Sequence, residues 1–264
     1  MSWSAAQYVT FEDERTRPVR DLLAAVPTRA ARRVADIGCG PGNSTELLAA
    51  RYPEAEILGL DSSPDMIAAA RKRLPNIRFE TVAIERWAEP GADAGAGAGS
   101  YDAILANAVL QWLPDHAQLF PRLAAKLAPG GSLAIQMPDN FEEPAHTLMR
   151  AIARHGPWAG KLAAAMEARA PMESARWYYE LLRTACGRVD VWRTTYFHVL
   201  PGAPDAIVEW FKGSALRPFL DPLDAGERAS FLAQYRDAVA DAYPALPDGS
   251  ALLPFPRFFM VATR

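Results

Sequence analysis

Short apolar runs alternate with amphipathic segments along the first half of the chain. Arg33 to Gly38 (RVADIG) is small and apolar and ends on glycine, which predicts a buried strand. Ser44 to Tyr52 has helical spacing and stops before Pro53. Glu56 to Asp61 (EILGLD) predicts a second strand that ends on a carboxylate. SPDMIAAARKRLP opens a helix, with Ser63 as its N-cap and Pro64 at the first helical position. IRFETVAI and YDAILANA predict a third and a fourth strand. DHAQLFPRLAAKLAPGG predicts a helix with a Pro-Gly-Gly exit, and SLAIQMP a fifth strand. Strands alternating with helices argue for an α/β fold with a doubly wound, mostly parallel sheet.

After the fifth strand the rhythm changes. Residues 141–185 are mostly helix-forming, VDVWRTTYFHVL alternates bulky residues as a strand does, and residues 204–243 read as helix interrupted at LRPFLDPL. PFPRFFMVAT closes the chain as a strand. The expectation is one domain over residues 1–264, with a seven-stranded sheet completed by a long hairpin and helical cap segments at about 141–185 and 204–243. The low-complexity stretch AEPGADAGAGAGS, residues 88–100, reads as a flexible surface connection.

Composition narrows the classes. Hydrophobic residues make up 50% of the 264 and charged residues 22%, the balance of a folded protein with an ample core. A net charge of −3 argues against a broad nucleic-acid or anionic-membrane surface, while a local arginine cluster for a small anion is still allowed. The two cysteines, Cys39 and Cys186, show no zinc-type spacing with histidine, and Cys39 sits inside a glycine turn where a disulfide would be awkward. No metal site is expected. MSWSAAQYVTFEDERTRP lacks the basic start and apolar centre of a signal peptide, and no apolar run reaches the length of a membrane span. These features predict a reduced, cytoplasmic protein.

The candidate chemistry starts at the first strand-to-helix turn, Asp36-Ile37-Gly38-Cys39-Gly40-Pro41-Gly42. Glycine allows positive φ and lets a ligand approach the backbone closely, and a turn into a helix N-terminus is a ready site for a polar group. Asp61 lies 21 residues after Gly40, at the end of the second strand. A carboxylate there can accept both ribose hydroxyls of an adenosine cofactor. The spacing is G-x-G-x-G rather than the dinucleotide G-x-G-x-x-G, and Pro41 removes an N–H that a pyrophosphate would want.

This combination resembles the cofactor loop of Rossmann-like S-adenosylmethionine (SAM) methyltransferases. Further along, WSAAQYVTFEDERTRP, DIGCGPGNST, LDSSPDMI, NAVLQWLPDH, QMPDNFEEPAHTLMR, VDVWRTTYFH, GSALRPFLDPL and FPRFFMVA together resemble the trans-aconitate 2-methyltransferase family over nearly the whole chain. The early motifs mark the cofactor class; the later ones, VWRTTYFH and LRPFL above all, point to this family. The resemblance implies SAM as cofactor, held around the turn by Asp36, Gly38, Cys39, Gly40 and Asn43. It extends the site to Asp61, Ser62 and Met66 after the second strand, to Ala83 and Ile84 after the third, and to Asn107 and Ala108 after the fourth. The sequence departs from the usual pattern at Ala83, which stands where an acid commonly takes the adenine amino group; backbone groups at Ala83 and Ile84 would read the ring edge instead, or Glu85 would compensate. Trp3, Tyr8 and Arg15 would fold over the cofactor, or Tyr8 and Phe11 would anchor the first helix.

The implied reaction is methylation of one carboxylate of trans-aconitate to a monomethyl ester. A carboxylate with a pKa of about 4 is already ionised at neutral pH, so no general base is required and no catalytic residue is assigned beyond positioning. A small anionic tricarboxylate calls for arginine, whose fork matches a carboxylate. Arg193, Arg217 and Arg257 are the candidates, ranked in that order because strand alternation in VDVWRTTYF fixes the face of Arg193. Gln111, Trp112, His146, Tyr179 and Tyr196 complete the expected substrate contacts, with Tyr178 and His198 as further hydrogen-bonding side chains. For each arginine a structural ion pair is the competing reading, and for Trp112 a place in the core; His116, His155 and His198 read best as ordinary surface or core residues. Two other functions stay open at this level: a methyltransferase for another small or carrier-bound carboxylic acid, and a non-catalytic SAM-binding regulator.

Overall fold

The computed structural model describes residues 12–92, 99–167 and 171–264, with side chains from residue 16. The expectations for Trp3, Tyr8, Phe11 and Arg15, and for residues 93–98 of the glycine-rich stretch, lie outside the described residues. The chain runs α1 (Glu12–Ala25), β1 (Arg33–Ile37), α2 (Asn43–Arg51), β2 (Glu56–Asp61), α3 (Pro64–Arg73), β3 (Arg78–Thr81), α4 (Ile84–Trp87) and β4 (Tyr101–Asn107). A 3-10 turn (Leu110–Trp112) follows, then α5 (His116–Ala125), β5 (Leu127–Pro138), α6 (Pro144–His155), α7 (Ala159–Glu167) and α8 (Ala175–Arg183). The rest is β6 (Arg188–Pro201), α9 (Asp205–Lys212), α10 (Arg217–Leu220), α11 (Ala225–Ala242) and β7 (Ser250–Thr263).

The strands form one seven-stranded sheet in the order β3-β2-β1-β4-β5-β7-β6. The pairs β3–β2, β2–β1, β1–β4 and β4–β5 are parallel. β7 runs against β5: Gly130 N–H donates to Arg264 O, Arg264 N–H to Gly131 O, and further along Asp139 N–H to Pro256 O. The mostly parallel doubly wound sheet is therefore as the alternation predicts. In β1, four successive residues from Val34 to Ile37 are buried, which is what a central strand covered on both faces requires. The strand order reverses between β1 and β4, so the C-terminal ends of these two strands frame the crevice where open α/β sheets take ligands.

Contacts divide the chain into two compact units. The first holds the described residues up to Met137 together with Glu173–Arg193 and Phe258–Arg264; the second holds Pro138–Met172 and Thr194–Arg257. Of the helical segments anticipated as a cap, α6, α7, α9, α10 and α11 lie in the second unit and α8 in the first. β6 and β7 each pass from one unit into the other along their length.

Inside the second unit the start of α6 is fixed by two buried tyrosines. Ala145 N–H donates to the Tyr243 hydroxyl at 3.1 Å, and the Tyr235 hydroxyl donates to Ala145 O at 3.0 Å. Burial holds both phenols above their ordinary pKa, so both remain protonated, Tyr235 as donor and Tyr243 as acceptor in these bonds. Trp158 packs edge-on against Phe231, with 5.4 Å between ring centres, and donates its indole N–H to Ile152 O. α11 opens on a capping box between Asp224 and Glu227.

The Ala145 amide lies in the first turn of α6, where the helix offers it no acceptor. Tyr243→Phe is therefore expected to leave a buried N–H without a partner and to lower unfolding stability by about 1–3 kcal/mol in urea titration. An unchanged midpoint would show that this bond is not what fixes the helix start.

Candidate functional site

Two neighbouring strands are tied together at the glycine turn. Gly38 and Cys39 both donate their N–H to Leu60 O, at 2.7 and 3.0 Å, which joins the end of β1 to β2. One residue on, Asp61 accepts Gly40 N–H at 3.0 Å on Oδ2 and Ser63 N–H at 2.8 Å on Oδ1. One carboxylate thus aligns the turn with the start of α3, whose N-cap, Ser63, also accepts Met66 N–H at 3.4 Å. Each Asp61 oxygen retains a lone pair for a further donor.

Gly38, Gly40 and Gly42 all have positive φ, at 74°, 54° and 94°. They do different work. A Cβ on Gly38 would lie 2.4 Å from Val109 Cγ2, so this glycine permits the turn to touch the loop after β4. Among the described residues a Cβ on Gly40 would meet nothing within 4 Å, so this position is open beside Asp61.

Asp36 is fully buried at the end of β1. Its Oδ2 accepts the hydroxyls of Ser44 at 2.7 Å and Thr45 at 2.6 Å, both from the first turn of α2. Burial pushes its pKa up to about 6, against the lowering effect of the Thr45 and Ser44 hydroxyls, and the negative charge of Asp61 adds to the rise. Between roughly pH 4 and 6 the folded chain therefore holds a proton that the unfolded chain has released; stability falls as pH rises through that window, by an amount on the order of 3 kcal/mol.

Three buried oxygens have no hydrogen-bond partner among the described residues here: Asp36 Oδ1, Asn107 Oδ1 and Gln111 Oε1. Asn107 ends β4, level with Gln136 of β5. Ala108 follows with φ of 53°, an uncommon conformation for a residue with a Cβ, and donates its N–H to Gln136 O at 2.8 Å. Gln111 uses Nε2 on Ala108 O at 2.7 Å and leaves Oε1 without a donor. Dry acceptors without donors are costly unless something supplies them. A ligand with an ammonium group and a neighbouring positive charge fits that set, as the amino-acid end of SAM would.

The other candidate cofactor residues are arranged as follows. Cys39 turns its side chain into an apolar cluster with Ile67, Ala70 and Phe79, and burial and the nearby acids hold its thiol well above the ordinary pKa. Only its backbone faces the turn's business. Asn43 opens α2, Ser62 is exposed just past Asp61, and Met66 is buried in the first turn of α3. Ala83 is the exposed N-cap of α4, while the Ile84 side chain goes into the core. The third strand therefore ends at Thr81, earlier than its apolar pattern predicts, because Ile84 is buried from a helical turn.

The candidate substrate residues divide between the units. Gln111, Trp112, Tyr179 and Arg193 belong to the first; His146, Tyr196, Arg217 and Arg257 belong to the second. Alternation does fix the face of Arg193, and it is the exposed face, shared with Thr195, Phe197 and Val199. Its guanidinium lies 5.6 Å from the Phe258 ring centre. Tyr179 is also exposed, whereas its neighbour Tyr178 is buried. Arg217 is partly exposed and 3.8 Å from Asp221, one helical turn away. Arg257 is different: it is only 4% exposed, with its guanidinium 4.8 Å from the Phe255 ring centre. Phe255 also packs on His198 and Trp210, at 5.5 and 5.8 Å between centres, and Tyr196 and His146 are buried in the same unit. Among the described residues no group of His, Cys, Asp or Glu is arranged to hold a metal ion, and no helix is long and apolar enough to cross a membrane.

Sequence reasoning missed Ser44 and Thr45, although two hydroxyl residues directly after the turn are a readable sign of donors for Asp36. It also passed over the Gly38–Val109 approach, which no local pattern reveals.

Comparison with known proteins bears on the same residues. A family model described as a methyltransferase domain matches residues 35–133, from β1 into β5. A Methylobacterium nodulans protein named trans-aconitate 2-methyltransferase is 58% identical over 263 residues, covering 99% of this chain and 98% of its own. The solved structure of the YcgJ protein from Bacillus subtilis has a TM-score of 0.59 at 14% identity, over 94% of this chain and 98% of its own. A Haemonchus contortus phosphoethanolamine N-methyltransferase solved with SAM has a TM-score of 0.53 at 16% identity, over 93% of this chain and 52% of its own.

The sheet order, the turn and its donor-seeking oxygens are those of a Rossmann-like methyltransferase that uses SAM. Within that class, the chain belongs to the trans-aconitate 2-methyltransferase family.

Two outcomes follow from the site. A cationic ligand end has to displace the Asp36 proton at low pH, so SAM affinity measured by calorimetry is expected to fall about tenfold from pH 7.5 to pH 5, the fraction ionised one unit below a pKa of about 6. Asp36→Asn should flatten that dependence; an equally steep profile in the variant would remove Asp36 as its source. The glycines separate fold from binding: Gly38→Ala is expected to destabilise the chain through Val109, while Gly40→Ala costs only about 1–2 kcal/mol of backbone strain yet loses SAM affinity. Normal affinity in folded Gly40→Ala would show that no ligand approaches there.

Proposed function

We propose that this protein transfers the methyl group of SAM to one carboxylate of trans-aconitate, forming a monomethyl ester. The observation that carries the reading is 58% identity to an enzyme of that name across 99% of the chain, the second unit included. When bound, SAM supplies a methyl carbon made electrophilic by the sulfonium.

The chain's own residues bind, orient and exclude water. Asp61 takes the ribose hydroxyls with its remaining lone pairs, and the open face of Gly40 allows the close approach. Asp36, Asn107 and Gln111 receive the ammonium end of the methionine part; buried oxygens on them without donors among the described residues support this placement. Backbone groups at Ala83 and Ile84 lie past the end of β3, where they would meet the adenine edge, and Ser62 and Met66, past the end of β2, would complete that side of the site. No general base is needed, since a carboxylate nucleophile is ionised at neutral pH. Alignment of a ready nucleophile with a ready electrophile supplies at most roughly 7–11 kcal/mol of barrier lowering.

For the non-reacting carboxylates we favour Arg257 as the anchor. A buried guanidinium beside an aromatic ring, as Arg257 is beside Phe255, pairs more strongly with a carboxylate than an exposed one does. Free, buried Cys39 and Cys186 are consistent with a reducing, cytoplasmic setting.

Incubation with SAM and a panel of small carboxylates, followed by mass spectrometry, should give a singly methylated trans-aconitate; methylation of another acid in its place would redirect the assignment. Arg257→Ala is expected to lower kcat/KM for trans-aconitate by about 2–4 kcal/mol, and much less for a dicarboxylate lacking one arm, whereas exposed Arg193→Ala should change it by less than about 1 kcal/mol. Equal losses for both acids would remove Arg257 as an anchor. With both substrates saturating, the rate should be level from about pH 6.5 to 8; a steep rise there in the chemical step would indicate a base and a different nucleophile.

A further inference from the structure

His116 stands at the first position of α5, half-buried, and both of its ring nitrogens are engaged. Nε2 lies 2.8 Å from Leu110 O, and Nδ1 lies 2.8 Å from the Tyr178 hydroxyl. A carbonyl oxygen only accepts, so Nε2 carries the hydrogen. In the neutral ring Nδ1 is then the acceptor, and Tyr178 donates to it. The result is a directed chain, Tyr178 to His116 to Leu110, all within the first unit.

Its anchored end is rigid. Tyr178 is fully buried in α8, with ring contacts to His116, Phe120, Trp177 and Phe258. His116 also packs edge-on to Phe120 at 4.8 Å. The other end is the 3-10 turn Leu110–Trp112, which carries Gln111. That turn reaches the cofactor loop through Val109, whose side chain fills the space a Gly38 Cβ would need. Within the turn Trp112 N–H donates to Val109 O and Leu113 N–H to Leu110 O, and the Gln111 side chain bonds Ala108 O, with Ala108 held at positive φ. A short turn next to a left-handed alanine has little intrinsic reason to keep one shape. The external hydrogen bond from His116 adds a second donor to its first carbonyl and ties it to α5.

We propose that His116 is a positioning residue for the amino-acid end of SAM: by fixing Leu110 O, with its ring oriented by the Tyr178 hydroxyl, it holds the Gln111 amide oxygen where an ammonium group is received. The inference rests on the placement of the methionine end at Asn107 and Gln111 given above. It assigns His116 no contact with substrate or cofactor.

The measurement is calorimetric affinity for two ligands, S-adenosylhomocysteine and methylthioadenosine, which share the adenosine part but differ in the amino-acid end. His116→Phe keeps an aromatic ring and removes both hydrogen bonds; it should bind S-adenosylhomocysteine about tenfold more weakly and methylthioadenosine as wild type does. His116→Gln places an amide N–H near the position of Nε2 and should restore most of the loss. Equal weakening for both ligands, no weakening for either, or a glutamine variant as poor as the phenylalanine one would overturn the proposal. Should His116→Phe not fold, Tyr178→Phe gives the same test. With the ring retained and its donor removed, imidazole nitrogen NMR should show the Nδ1 resonance shifted by loss of its hydrogen bond while Nε2 keeps its proton, and S-adenosylhomocysteine affinity should drop; an unchanged spectrum and affinity would count against the chain. Gln111→Ala reports on the placement itself. If it binds S-adenosylhomocysteine normally, the placement is wrong and the His116 proposal falls with it; if only Gln111→Ala weakens binding, the His116 proposal falls alone.

Discussion

At Gly38 the chain passes so close to Val109 that a single methyl group would not fit between them. That approach holds the ends of β1 and β4 in register beyond the last paired residues, and these are the strands between which the sheet order reverses. The same glycine donates its N–H to Leu60 O, and so ties in β2 as well. With the three strand ends fixed, Asp36, Asp61 and Asn107 are held on one edge of the sheet without any of them having to hold another. The strand ends are thus set by backbone packing, and the carboxylates then tie the turn and the following helices to them while keeping lone pairs for a ligand.

Those oxygens explain a cost. Asp36 is dry, has two hydroxyl donors on one oxygen and none on the other, and stands near a second carboxylate. A buried carboxylate in that state is kept ionised only at a penalty. Ser44 and Thr45 offset part of it, and they also fix which oxygen is left over. A site that stores such a penalty binds a compensating positive charge more tightly than a solvated carboxylate would, because the partner repays desolvation already incurred. Asp61 sits in a different environment: its oxygens accept backbone N–H groups, which suits neutral hydroxyl donors rather than a cation.

Legibility in the sequence followed the range of the interaction involved. β2 has the predicted boundaries, Glu56 to Asp61, and Ser63 caps α3 as expected, since both depend on neighbours a few residues away. β5 begins at Leu127, five residues before its apolar run, because Gly130 and Gly131 bond to Arg264, a partner no local pattern shows. Ile84 reads as the end of a strand because apolar content alone does not separate a strand from a turn of buried helix. For Arg193 the alternation was readable but not the side on which the core lies, which is set by the long-range sheet order. Tyr178 rather than Tyr179 was within reach of helical spacing: with Leu182 four residues on, it makes the buried stripe of α8. The bond between Tyr178 and His116 joins segments 62 residues apart and could only be seen in the folded chain.

The place of β7 carries a consequence for how the molecule is made. It lies between β5 and β6, and its residues contribute to both compact units. A strand synthesised after both of its neighbours leaves them with open edges until it arrives, and the pairing of Gly130 with Arg264 closes a loop of more than half the chain. Contacts of such long range are slow to form. During translation, β5 and β6 would therefore expose unpaired backbone on the flanks of a gap shaped for one particular strand, and neither unit can become complete before part of β7 has been made. The chain's two halves share a single finishing step, so synthesis that stalls before residue 250 yields no intact half-protein.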